Sequence, residues 1–222
     1  DVLLAAGYTQ QEIDGALAKS YTTSGIDLFA DKPASADLEG YVYGDTYYVD
    51  VDATAEEVLQ TTFDEMAKVI KEGGYVDKFR AHELNLYQGI TLASIVQREL
   101  SCTSGSTDCL KNQAMVAQVF YSRLTDGMTL GSDVTFYYAA DKLGVAPSTT
   151  LDSAYNTRIH AGLPPGPISA PGAHALNAVA SPASTDYLFF IAGDDGNVYF
   201  AHTDAEHQSN VAKYCQKLCS EL

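Results

Sequence analysis

The chain has 222 residues, 46% hydrophobic and 19% charged, enough for one domain, or one domain with an appendage, around a real core. Its 13 basic against 29 acidic residues leave a formal charge of −16, which argues against nucleic acid or an anionic membrane surface as the main partner. No apolar run is long enough to span a bilayer, and there is no phosphate-binding glycine loop, Gly-x-Ser-x-Gly elbow or His-Glu-x-x-His pair, so several enzyme classes drop out.

In chain order, residues 1–20 read as helical, with a start at the capping box Thr9-Gln10-Gln11-Glu12 and apolar positions at Ile13 and Leu17. Residues 22–37, polar and holding Pro33, read as a connector. Leu38 to Val49 is a tyrosine-rich extended stretch broken at Gly44-Asp45, either two short strands or a strand and a turn. Thr54-Ala55-Glu56-Glu57 opens a helix whose stripe is Leu59, Phe63, Met66 and Ile70, stopped by Gly73-Gly74. A short helical or irregular piece over 75–88 leads to a helix over 90–101. The next helix spans roughly 109–126, with Met115, Val119 and Phe120 inward and Gly127 as its stop. Arg123 lies on or beside that inward face, as the structural partner of a carboxylate or as a ligand group.

Gly131-Ser132-Asp133 is expected to cap a helix through Tyr137 and Tyr138, and residues 144–166 read mostly as loop. Two prolines between glycines in Gly162-Leu163-Pro164-Pro165-Gly166 fix a backbone path at low entropic cost. Pro171 opens a short helix to 180. Tyr187–Ala192 and Val198–Ala201, joined by a Gly-Asp-Asp-Gly-Asn turn, form a β-hairpin, and Thr203-Asp204-Ala205-Glu206 starts the last helix. The class is α+β: a helical body carrying a small antiparallel sheet, without alternating βαβ units.

One position stands against its surroundings. In Ile90–Glu99 the helical period puts Leu92, Ile95, Val96 and Glu99 on one face, while Gln97 and Arg98 point away. A carboxylate aimed along an apolar stripe either bends out to water at the helix end, or is buried and has its pKa raised, as a general acid requires. The four cysteines fall as Cys102/Cys109 and Cys215/Cys219. The first pair brackets a polar loop that a disulfide would close, which places the chain in an oxidising compartment. The second pair sits in an expected helix, where a bridge is awkward unless the helix ends there. Metal binding is the rival reading, but neither spacing matches a usual zinc arrangement and the five histidines are scattered, so no metal is expected.

The ordered series Leu38-Glu39-Gly40 with Asp45-Thr46-Tyr47, Ala93-Ser94-Ile95-Val96-Gln97-Arg98-Glu99, Val119 to Leu124, Ser132-Asp133, Tyr155-Asn156-Thr157 with Gly162 to Ile168, and Thr185 to Phe190 resembles the endolytic murein transglycosylases of the YceG-like (MltG) type. The resemblance covers residues 38–222 as the catalytic domain, with 1–37 as the tail of an upstream LysM-like or connector region. It implies a lytic-transglycosylase-like groove and a lytic cut of the β-1,4 bond between N-acetylmuramic acid and N-acetylglucosamine, leaving 1,6-anhydro ends. Glu99, which ends the family's Ala-Ser-Ile-Val-x-x-Glu motif, is then the catalytic acid and base. Ser132, Asp133, Tyr155, Asn156 and Arg123 are the substrate-side candidates. For Asp133 the alternatives are an N-cap or an Arg123 partner, and for Tyr155 and Asn156 turn-making and loop packing.

The resemblance implies no cofactor. Its partners are peptidoglycan glycan strands and peptidoglycan synthases, at the outer face of the bacterial cytoplasmic membrane. Because the chain begins at Asp1 without a signal-peptide pattern, it is expected to be a processed or excised portion, its membrane anchor lying upstream. Three departures bear on the groove: relatives usually have Gln before a Thr-Asp-Pro-Thr run where Gly131-Ser132-Asp133-Val134-Thr135 stands, a second Tyr where Arg158 stands, and Pro where Gly44 stands. They motivate an alternative, a non-catalytic peptidoglycan-binding or division-scaffold module. A third reading is hydrolysis with Asp133 directing water.

Overall fold

The computed structural model describes residues 2–102 and 106–220, so residues 103–105 of the Cys-bracketed loop lie outside the described residues. The molecule is built round α5 (Leu86–Glu99), which is buried at every position from Gly89 to Val96. The helix starts four residues before the expected 90, because Asn85 and Gln88 form a capping box: the Asn85 carboxamide accepts from the Gln88 N–H at 2.8 Å, and the Gln88 side chain accepts from the Asn85 N–H at 2.9 Å. Around it lie α4 (Tyr75–Ala81), α6 (Thr107–Thr125), α7 (Asp133–Leu143) and α8 (Ala173–Ala180). Gly89 lets α4 approach closely, since a Cβ there would sit 2.1 Å from the buried Phe79 ring.

The α3 helix (Ala55–Gly73) follows its sequence signals. Thr54 and Glu57 make the capping box, Leu59, Phe63, Met66 and Ile70 are buried, and Gly74 ends it at φ +61°. Before it come α1 (Val2–Ala5) and α2 (Gln10–Leu17). The α2 helix packs on α3 through Ala16; Leu17, expected inward, is 44% exposed, because the short contact centres one residue earlier. Ala16 and Leu28 join the same core as α3 and α5.

No strand forms over 38–49. Tyrosines there are anchored singly to the helical body: Tyr41 is fully buried between Phe29 (4.9 Å) and Tyr87 (6.4 Å). Gly40, at φ +85°, breaks the extended run, and a Cβ at this position would lie 2.4 Å from Pro167. The hairpin forms as expected, with the first strand two residues shorter: β1 (Phe189–Ala192) pairs antiparallel with β2 (Val198–Ala201), Phe189 opposite Ala201.

The last helix, α9 (Asp204–Tyr214), opens at the Thr203–Glu206 capping box and packs on the hairpin. It ends with Cys215 as its cap, so the Cys215–Cys219 bridge joins the end of α9 to a short 3-10 turn, Leu218–Ser220, rather than two positions of one α-helix. Asp194 fastens this C-terminal knuckle by accepting from the backbone N–H groups of Gln216, Lys217 and Leu218 at 2.9–3.0 Å. The expected Cys102–Cys109 disulfide is present and ties the end of α5 to the first turn of α6.

Candidate active site

Glu99 is the last residue of α5, one turn beyond the fully buried Ile95 and Val96. It opens onto a cleft of about 430 Å³ walled by Val116 and Arg123 of α6, the Leu130–Gly131 turn, the β1 side chains, and His207 of α9. Asp133, Arg158 and the Cys215–Cys219 knuckle complete the rim. Loss of solvation pushes the Glu99 carboxyl from its ordinary 4.5 up to about 7. The Ser132 hydroxyl, Arg123 and Arg158 pull it back down, while the Asp133 carboxylate pushes it further up.

Ser132 occupies the N-cap position of α7, but its side chain does not cap the helix. Its hydroxyl instead donates to Glu99 Oε1. The Ser132 backbone is held for this by two buried threonines. Thr135 Oγ1 donates to the Ser132 carbonyl at 2.6 Å, and the Ser132 N–H donates to Thr157 Oγ1 at 3.2 Å. Thr135 and Thr157 share a further bond at 2.9 Å, and none of the three residues is more than 2% exposed. Gly131, at φ +64°, turns the chain into this network, and its N–H donates to the Thr157 carbonyl at 2.9 Å.

Asp133 is neither the N-cap nor a partner of Arg123. It is the first helical residue of α7 and pairs with Arg158. Among the described residues Arg123 takes no carboxylate partner; its guanidinium donates to the carbonyls of Leu188 (2.8 Å for Nε) and Leu130, and lies 5.2 Å over the Phe189 ring. These carbonyls lie just before β1 and in the Leu130–Gly131 turn, so Arg123 ties together two segments that wall the cleft.

The structure thus brings Glu99, Ser132, Asp133 and Arg123 together. Tyr155 and Asn156 do not line the cleft. Asn156 is fully buried, and its amide donates to the carbonyls of Thr149 (3.0 Å) and Leu151 (2.9 Å), which makes it the organiser of its loop. Tyr155 packs 5.0 Å from Tyr138, with the Lys142 ammonium over its ring. The loop reaches the cleft through Arg158 instead, a position the sequence flagged only as a departure from the expected pattern. His207 carried no sequence signal at all. Among the described residues, no three His, Cys, Asp or Glu side chains gather as metal ligands.

A carboxyl group whose burial in a largely apolar cleft raises its pKa toward neutrality has the property that a general acid needs. The chain belongs to the YceG-like family, whose profile matches residues 1–213. An endolytic murein transglycosylase of Streptococcus pneumoniae is 30% identical over 96% of this chain and 39% of its own length. One from Bacillus subtilis is 31% identical over 80% of this chain and 48% of its own length. The crystal structure of a YceG-like protein from Listeria monocytogenes superposes with a TM-score of 0.70 at 31% identity, covering 94% of this chain and 66% of that one. The chain therefore spans less than half the length of these two curated relatives.

Proposed function

We propose that this chain is the catalytic portion of an endolytic peptidoglycan transglycosylase that cuts glycan strands between N-acetylmuramic acid and N-acetylglucosamine. The observation that carries this reading is the Glu99 carboxyl at the end of a buried helix, opening onto a largely apolar cleft whose desolvation raises its pKa to about 7. Glu99 gives its proton to the bridging oxygen as the C1–O4 bond breaks. The C6 hydroxyl of the muramic acid then bonds to C1, and its proton returns to the Glu99 carboxylate. The 1,6-anhydro ring closes with no water consumed, and the acid is regenerated. One carboxyl group serves both steps, whereas ordinary glycosidases place two at set separations. Hydrolysis directed by Asp133 is less well supported, because that carboxylate is already engaged by Arg158. The two disulfides support a place outside the cytoplasm, and we assign it to the outer face of the cytoplasmic membrane.

Mass spectrometry of uncrosslinked glycan strands after incubation with the chain and with Glu99→Gln tests the proposal. Anhydro-ended products that vanish in the variant, a loss of at least about 10³-fold for removing the proton donor, are expected. Reducing ends would make the protein a hydrolase. Strand binding without cleavage by the parent chain would make it a binding module.

A further inference from the structure

His207 stands on α9 facing the cleft, and its imidazole lies 5.4 Å from the Phe189 ring at an interplanar angle of 24°. The residue is half-buried, and its Nδ1 is wholly buried without a hydrogen-bond partner among the described residues. A proton on Nδ1 would be an orphaned buried donor, which folded proteins rarely tolerate; a lone pair there costs less. The neutral ring therefore carries its proton on Nε2, the nitrogen of its accessible edge. Protonating both nitrogens would place a charge and an orphaned N–H in the same wall. Burial, together with Arg123 of α6 and Arg158 of the facing loop, holds His207 below the ordinary histidine range, and Asp204 on its own helix opposes them only in part.

Resting on the function proposed above, we propose that His207 is a substrate-binding residue of the Glu99 cleft: its Nε2–H donates to an acceptor oxygen, hydroxyl or N-acetyl carbonyl, of the bound N-acetylhexosamine. The arrangement divides the polar work of the cleft. Glu99 exchanges a proton, and His207, lining the same cleft, supplies a neutral donor. Phe189 fixes the plane of that donor, and Arg123 lies over the same Phe189 ring.

The test pairs two variants and two readouts. Binding of uncrosslinked glycan strands is measured in the non-cleaving Glu99→Gln chain. His207→Phe, which keeps the stack on Phe189 and removes the donor, should weaken binding by about ten- to a hundredfold. His207→Gln, whose amide N–H reaches about as far as Nε2, should recover most of the loss. In cleaving chains, the His207→Phe defect should appear mainly in KM. The second readout is nitrogen NMR of the unmodified imidazole, which should show the Nε2–H tautomer, a midpoint below the ordinary histidine range, and a shift of Nε2 on adding strands. Unchanged binding in His207→Phe, an Nδ1–H tautomer, or no Nε2 shift on adding strands would each overturn the assignment. A parent chain that binds strands but never cleaves them would remove the proposed reaction, and the binding series would still decide the role of His207.

Discussion

At the scale of single residues, the chemistry of the cleft turns on how far Glu99 is kept from ionising, and two consecutive residues beside it act in opposite directions. Ser132 donates to the carboxyl and so favours its charged form, while the Asp133 carboxylate disfavours it. Ser132→Ala should therefore move the alkaline limb of the kcat/KM profile to higher pH. Asp133→Asn should move it to lower pH, since it removes a negative neighbour and frees Arg158. A pH–rate series on the three proteins checks both signs.

The same shift has a consequence for stability. Glu99 has a folded-state pKa above its ordinary 4.5, so its contribution to the fold is complete below about 4.5 and is lost as pH rises through about 7. Glu99→Gln stays neutral throughout. It should gain on the parent between pH 5 and pH 8 by about 1–3 kcal/mol, read from urea unfolding at the two pH values. Of the site, sequence periodicity could reach Glu99, because a carboxylate on an apolar stripe breaks the pattern. It could not reach His207 or the Thr135–Thr157 network, whose roles arise from segments that meet only in three dimensions.

At the scale of elements, helix starts were legible wherever the signal is local. The Thr9, Thr54 and Thr203 capping boxes all form, because each needs only four consecutive residues. The Asn85–Gln88 box uses the same geometry with amides, and overlooking it set the start of α5 four residues late. The tyrosine-rich stretch misled for the opposite reason. Its β propensity is real, but with no strand beside it the side chains are taken up one by one by the helical body. Gly89 shows what such close packing demands. Gly89→Ala would drive a methyl group into the Phe79 ring, so a loss of about 1–3 kcal/mol or more is expected even though alanine is the better helix former. Thermal unfolding of that variant would falsify the packing account if stability rose.

At the scale of the whole molecule, the two disulfides close short loops near the cleft, with sequence separations of 7 and 4 residues, and neither pins distant parts of the core together. Loops this short restrict the unfolded chain only modestly, by about 2 kcal/mol each. Replacing Cys215 and Cys219 by serine should therefore lower Tm by about 4–8 °C and leave the helical core folded. Because the knuckle is part of the cleft wall, glycan cleavage should fall by more than that stability change implies. A variant with the lower Tm but full activity at 25 °C would show that the wall is set by Asp194 alone.

The walls of the cleft are drawn from residues as far apart in the chain as Glu99 and Cys219. During synthesis or export, Glu99 emerges about ninety residues before the hairpin and more than a hundred before α9 and the knuckle that help enclose it. Until they arrive its carboxyl meets water and ionises like any surface glutamate, with no proton to give near neutral pH. A chain in which they have not yet folded is thus expected to spare the polymer it is proposed to cut, and the hairpin, α9 and knuckle together arm the glutamate that precedes them.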